Sequence, residues 1–348
     1  VAGANRVTAD LGGIAPIAGS AGAPAYAIDV AQLGGMYANH IALVVNEAGV
    51  GARNAGTIQT ATGTYALAGT GPGAGKLTLS VDGLLDNSGL IQVATDGVLR
   101  AGSLANGGTV RSAAVLQVAT QGDLANHIAG TGGAGGTGGT MEARRLDLRS
   151  ATGDIDNRAG TLRQTSTAGL AVTATGLSNT NGGFIGAEPV AASTNSSGNG
   201  GGSGSSTGGT GGAAIPPGTG TPGSAAGGAP TSALVSPVVS PGALVAAGRV
   251  RNDGGRIHAG GDIALQTPNI DNAGGTLRVA DLAVAGAAFS NAGGTLAVTN
   301  TFSAGVGTLD NAGGNLHART IAITTTGDLD NRGGTLALLK AAPATARS

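Results

Sequence analysis

Asn252, Asn272, Asn291, Asn311 and Asn331 follow one another at intervals of 20, 19, 20 and 20 residues, each inside a near-copy of the phrase LDNAGGNL. Six more, Asn54, Asn87, Asn106, Asn126, Asn157 and Asn179, carry the same mark upstream at less even spacing. A unit of about twenty residues cannot enclose a core of its own and must bury its apolar side against copies of itself. The two widest upstream gaps hold GTGPGAG and GTGGAGGTGG, read as loops extruded between otherwise ordinary units.

Within a unit the apolar residues alternate with period two: Leu277 and Val279 flank Arg278, and Leu146 and Leu148 flank Asp147. That is the pattern of half-buried strands. Small aliphatic side chains dominate, with three Phe, three Tyr and no Trp in 348 residues, so the interior must be narrow. The expected fold is all-β, a parallel β-helix of roughly 20-residue coils whose neighbours pair edge to edge.

The repeated Asn has two readings. Stacked inward, successive amides would hydrogen-bond along the axis and satisfy groups that are costly to bury singly. Turned outward, Asn would serve only as a turn former beside the glycines that follow it. The array is interrupted over 191–241, an uncharged Gly/Ser/Thr/Pro tract expected to be a disordered linker or extruded loop. The organisation read from the sequence is therefore a leading coil or junction (1–28), repeats (29–190), this insertion (191–241), repeats (242–340) and a tail (341–348). A single continuous solenoid is compatible with so long an insertion, because loop closure costs grow only logarithmically with length.

The residues that enzymes use are sparse. Only 37 residues are charged, the formal net charge is −1, there is no Cys, and no Lys/Arg run suggests a nucleic-acid surface. No apolar stretch is long enough to span a membrane as a helix. The opening VAGANRVTADLGG, without Met, reads as a processed or excised product. His40, His127, His258 and His317 share no ligand spacing and are expected on solvent-facing strand positions. GTGPGAGK resembles a phosphate loop only up to Lys76, since Leu77 follows where a hydroxyl is required. Asp86, Asp156, Asp271, Asp310 and Asp330 each precede an Asn mark, so Asp310 and Asp330 are expected to meet on an outer face. Paired carboxylates can cleave glycans, but no Arg, Lys or aromatic platform is expected beside them, and the calcium-binding nonapeptide is missing. No catalytic, cofactor or metal residue is assigned; the eleven Asn are the expected structural ladder or turn positions.

Residues 29–60 contain a more specific pattern: Gly34, Gly35, Met36, Tyr37 and Ala38, then Ile41 and Leu43, then Gly49, Val50, Gly51, Arg53, Asn54 and Gly56. This segment resembles the junction of filamentous haemagglutinins and contact-dependent growth-inhibition exoproteins, with Ala52 where that family usually has Val. The downstream coils are similar to the family's haemagglutinin repeats. The resemblance implies a right-handed β-helical shaft, secreted to the surface of a Gram-negative bacterium through a two-partner outer-membrane transporter. It implies adhesion to host glycans or proteins, or alternatively a toxin-carrier stalk that meets a neighbouring-cell receptor. The family's Asn-Pro-Asn secretion phrases and a toxin module are not found, so an internal segment is expected. A β-helical polysaccharide-active enzyme is the remaining alternative.

Overall fold

A computed structural model describes residues 5–7, 14–16, 24–61, 75–128, 137–166, 170–187, 243–258 and 264–339. Every regular element among them is a strand, and 28 of the strands form a parallel β-solenoid of about eleven turns, while Asn5–Val7 with Ile14–Pro16 and His127–Ile128 with Thr137–Gly138 form separate antiparallel pairs. The tract expected to be disordered, 191–241, and the tail lie outside the described residues.

Each coil has three faces. In the coil marked by Asn87, 76–81 forms the first face, 84–87 the second and Leu90–Val93 the third. The alternation read from the sequence sets which side chains enter. Lys76–Asn87 buries Leu77, Leu79, Val81, Leu85 and Asn87 and presents the residues between them outward. Equivalent positions stack in columns. On the third face Ile58, Ile91, Val110, Met141, Leu162, Ile185, Ile257, Leu277, Leu296 and Leu316 are all buried. Neighbours in that column are parallel register partners, as with Ile257 and Leu277, Leu277 and Leu296. Each fully buried aliphatic contributes roughly 1.5–3 kcal/mol relative to exposure. The same contact recurs from coil to coil, so the core is a narrow prism without a centre.

Most polar residues that enter this prism have their hydrogen bonds satisfied. Gln164 is fully buried at the corner after the third face; its Oε1 accepts from the Leu146 backbone N–H at 3.1 Å and its Nε2 donates to the Ser166 carbonyl at 3.1 Å. It therefore stands in for a strand partner where the regular ladder lapses.

The stack is continuous across the long insertion. The last strands before residue 188, Ala171–Ala174, Leu177–Ser178 and Phe184–Ala187, pair in parallel with Ala243–Ala246, Arg249–Arg251 and Arg256–His258. The segments 62–74, 167–169, 188–242 and 259–263, outside the described residues, each fall in sequence between the third face of one coil and the first face of the next. Between the second and third faces of the coil at Asn126, His127–Ile128 pairs antiparallel with Thr137–Gly138.

Candidate functional site

All eleven marked asparagines project inward at the corner between the second and third faces, and their amides form one chain. Asn54 Nδ2 donates to Asn87 Oδ1 at 2.8 Å and Asn87 to Asn106 at 2.6 Å. The eight links from Asn106 through Asn126, Asn157, Asn179, Asn252, Asn272, Asn291 and Asn311 to Asn331 are each 2.7 Å. Ten of the eleven are at most 1% exposed; Asn331, in the last described coil, is half-buried. Every link runs in the same direction, with the NH2 facing the later coil. The second proton of each NH2 faces backbone carbonyls, as Asn157 does those of Gly160 at 3.1 Å and Phe184 at 2.9 Å. At the upstream end the partner of Asn54 is Val30, whose side chain has no donor, and Asn54 Oδ1 is buried without a hydrogen bond.

The two glycines of the phrase do different work. In the downstream coils the turn has three residues, and its middle one, Gly254, Gly274, Gly293, Gly313 or Gly333, has φ between 61° and 66°. A side chain there would point into open space, so only backbone conformation demands Gly. The next residue has an ordinary φ but no room. A Cβ on Gly275 would overlap the Asn252 carbonyl oxygen and stand 2.7 Å from Asn272 Oδ1. The turns after Asn54, Asn87 and Asn106 are one residue shorter, lack the positive-φ position and keep this second glycine, as Gly56, Gly89 and Gly108. The coil at Asn157 places Ala159 in the left-handed position, at φ 54°. Replacing it with Gly (Ala159→Gly) is expected to raise stability by about 0.5–1 kcal/mol by relieving that strain. An unchanged or lowered chemical-denaturation midpoint would contradict this.

The outer carboxylates form a row, as expected from the repeat, but its chemistry differs from a catalytic pair. Asp271, Ser290, Asp310 and Asp330 are successive register partners. Asp156, Asp310 and Asp330 each accept the backbone N–H two residues on, at 2.9–3.1 Å, which caps the turn. The expectation that no arginine accompanies this row is wrong. Arg158 pairs with Asp156 at 2.8 Å, Arg249 with Asp271 at 2.7 Å and Arg332 with Asp330 at 2.6 Å. Two of these arginines stand two residues after their Asp, across the turn. The Arg332 guanidinium holds the Asp330 carboxyl below the usual carboxylate range, and Arg53 does the same for Asp29.

Asp253 behaves oppositely. Burial, followed by the neighbouring Asp271 carboxylate, raises its pKa above the ordinary value, and Arg251 at 3.0 Å offsets this only in part. A raised folded-state pKa means that the folded chain binds this proton more tightly than the unfolded chain. The associated destabilisation is absent in acid and appears as the pH rises through the unfolded value of 3.8. Asp253→Asn is therefore expected to stabilise the protein at pH 7, by up to about 0.5 kcal/mol, and to have no such effect near pH 3. Equal effects at both pH values would refute the assignment.

The histidines are not brought together. His258 and His317 share a column but are separated by Arg278 and Ala297. Two of them also depart from the expected open strand position. The His127 side chain is 11% exposed and its Nε2 lies 3.1 Å from Asp156, one coil on, while His258 packs edge-on against Phe184. Their partners are 29 and 74 residues away, which hid them from local spacing. Among the described residues no group of three or more His, Cys, Asp or Glu could hold a metal. Lys76 opens the strand Lys76–Asn87, where a phosphate loop would lead into a helix.

The haemagglutinin-repeat family model matches residues 1–71, 242–285 and 279–333. This chain carries a haemagglutinin-repeat region of the filamentous haemagglutinin and contact-dependent growth-inhibition exoproteins. Its relatives include the tRNA nuclease CdiA-2 of Burkholderia pseudomallei, 46% identical over 26% of this chain. The 16S rRNA endonuclease CdiA of Enterobacter cloacae is 48% identical over 23%, and the toxin CdiA of Yersinia pestis 45% identical over 20%. The matched segments cover about 2% of each of these relatives. No solved structure matches the chain. The haemagglutinin repeat and these relatives mark a secreted, surface-exposed bacterial protein, and the repeat region forms part of the shaft of a large exoprotein. No helix among the described residues is long and apolar enough to cross a membrane.

Proposed function

We propose that this chain is a rigid shaft segment of a Gram-negative surface exoprotein that mediates adhesion to host cells or surfaces, exported by an outer-membrane two-partner transporter. The observation that carries this reading is the unbroken amide chain from Asn54 to Asn331, which passes the insertion at 188–242 without losing a link. A rod stabilised by neighbour contacts can be assembled coil by coil outside the cell and holds its ends at a fixed separation. Host glycans or proteins are the partners of its outer faces in this reading. A second reading, the stalk of a contact-dependent growth-inhibition toxin carrier, is favoured by the names of the relatives.

Whole-coil deletion tests the shaft. Removing residues 253–331 from the parent protein joins Asn252 to Arg332 and eliminates the four rungs at Asn272, Asn291, Asn311 and Asn331. The fibre is expected to reach the surface, shortened by about 19 Å at about 4.8 Å per coil. Removing half a period, residues 273–282, is expected to abolish surface display. Equal tolerance of the two deletions would reject the shaft. Adherence to epithelial cells, compared with growth inhibition of neighbouring bacteria, separates the two readings.

A further inference from the structure

The outer surface of the first face carries a feature that the shaft does not use. Thr78, Val98 and Gln117 are successive outward register partners on three coils, and Lys76, Asp96 and Val115 stand beside them where those coils begin the face. Together they line a shallow groove of about 390 Å³, within the range of about 300–1,000 Å³ that holds small ligands. Two strand spacings make it about 10 Å long.

Its chemistry is that of a polyol site. Lys76 Nζ and Asp96 Oδ2 are 3.6 Å apart and both side chains are nearly half-exposed, so the pair is loose and keeps donors and acceptors to spare. Asp96 Oδ1 accepts the Val115 N–H at 3.3 Å, which orients the carboxylate. The Gln117 amide and the Thr78 hydroxyl are not engaged by another side chain among the described residues. Val98 and Val115 supply apolar surface between these groups. The charged pair is neutral overall, so a polyanion is repelled by Asp96 as much as it is drawn by Lys76. Hydroxyl groups both donate and accept, and suit all four polar side chains.

We propose that this groove binds a neutral sugar residue of a glycan chain. The proposal rests on the adhesive reading above and names its ligand class. The purified 348-residue chain is titrated with methyl β-galactopyranoside, methyl α-mannopyranoside and methyl N-acetyl-β-glucosaminide, with a heparin oligosaccharide as the charged comparator, by saturation-transfer NMR and calorimetry. Saturable binding of at least one neutral glycoside is expected. Asp96→Asn, which keeps the acceptor for Val115, and Gln117→Ala should each weaken it by at least about tenfold, with unchanged melting. No saturation by any of the three glycosides, binding of heparin alone, or binding indifferent to both substitutions would overturn the proposal. Adherence of bacteria bearing the parent protein separates the two ideas. Adherence that survives both substitutions removes the groove and leaves the adhesin, whereas a wild-type parent that does not adhere removes the adhesin and leaves the glycoside titration to decide the groove.

Discussion

Gly275→Ala is expected to be among the most damaging single substitutions in this chain, costing more than about 3 kcal/mol despite adding one methyl group. The added carbon would meet the Asn252 carbonyl oxygen and the ladder amides of two coils, all within about a hydrogen-bond length. Those obstacles are backbone and tightly held amide, so neither can swing aside. The coils must separate, and the link between Asn252 and Asn272 must stretch. The adjacent Gly274→Ala adds the same atom in open space at φ 62° and should cost only about 1 kcal/mol. Thermal and urea unfolding of the two variants side by side checks this. Equal losses would mean that turn conformation, and not coil spacing, is what the second glycine protects.

Asn272→Ala is expected to cost about 2–4 kcal/mol, because it removes two ladder bonds and leaves Asn291 Oδ1 buried without a donor. The same change at Asn331, half-buried at the downstream end with no later rung among the described residues, should cost less than about 1 kcal/mol. Asn272→Asp gives a sharper readout. A carboxylate still accepts from Asn252 but opposes Asn291 Oδ1 in a dry interior, so its pKa must rise. The stability of that variant should recover as the pH falls and the acid form gains a proton to donate. Loss that is uniform along the ladder and insensitive to pH would show that the amides do not act as a connected chain.

The period, the strand character and the family resemblance were legible because each coil repeats the same constraint. Leu277, Leu296 and Leu316 recur in one phase, and Asn272, Asn291 and Asn311 in another, so any local reading is averaged over many copies. The direction of the asparagines was not decided by the phrase alone, since a turn former and an inward rung have the same neighbours in sequence. The separate duties of Gly274 and Gly275 were hidden for a related reason. One answers to its own φ and the other to a carbonyl on the preceding coil. Gln164 occurs once, so no repetition announced that it bonds the backbone of Leu146 across a lapse in the ladder. The arginine partners of Asp156 and Asp330 lie two residues on, across the turn and not along the column in which the carboxylates repeat. The groove at Lys76, Asp96 and Gln117 depends on register between coils of unequal length, which a fixed period does not give.

The orientation of the amide column is fixed by more than convention. Only an NH2 can face the carbonyls of Gly275 and Thr295, so Asn272 cannot be reversed without opposing oxygen to oxygen. Turning any single member over would create a head-to-head contact on one side and a tail-to-tail contact on the other. Primary amide dipoles aligned in this way add along the axis, as peptide dipoles do in a helix and as sheet backbones generally do not. The rod is therefore electrically polar along its length. At Asn331, the last rung among the described residues, the row ends on a donor, so a further coil can extend it in one sense only.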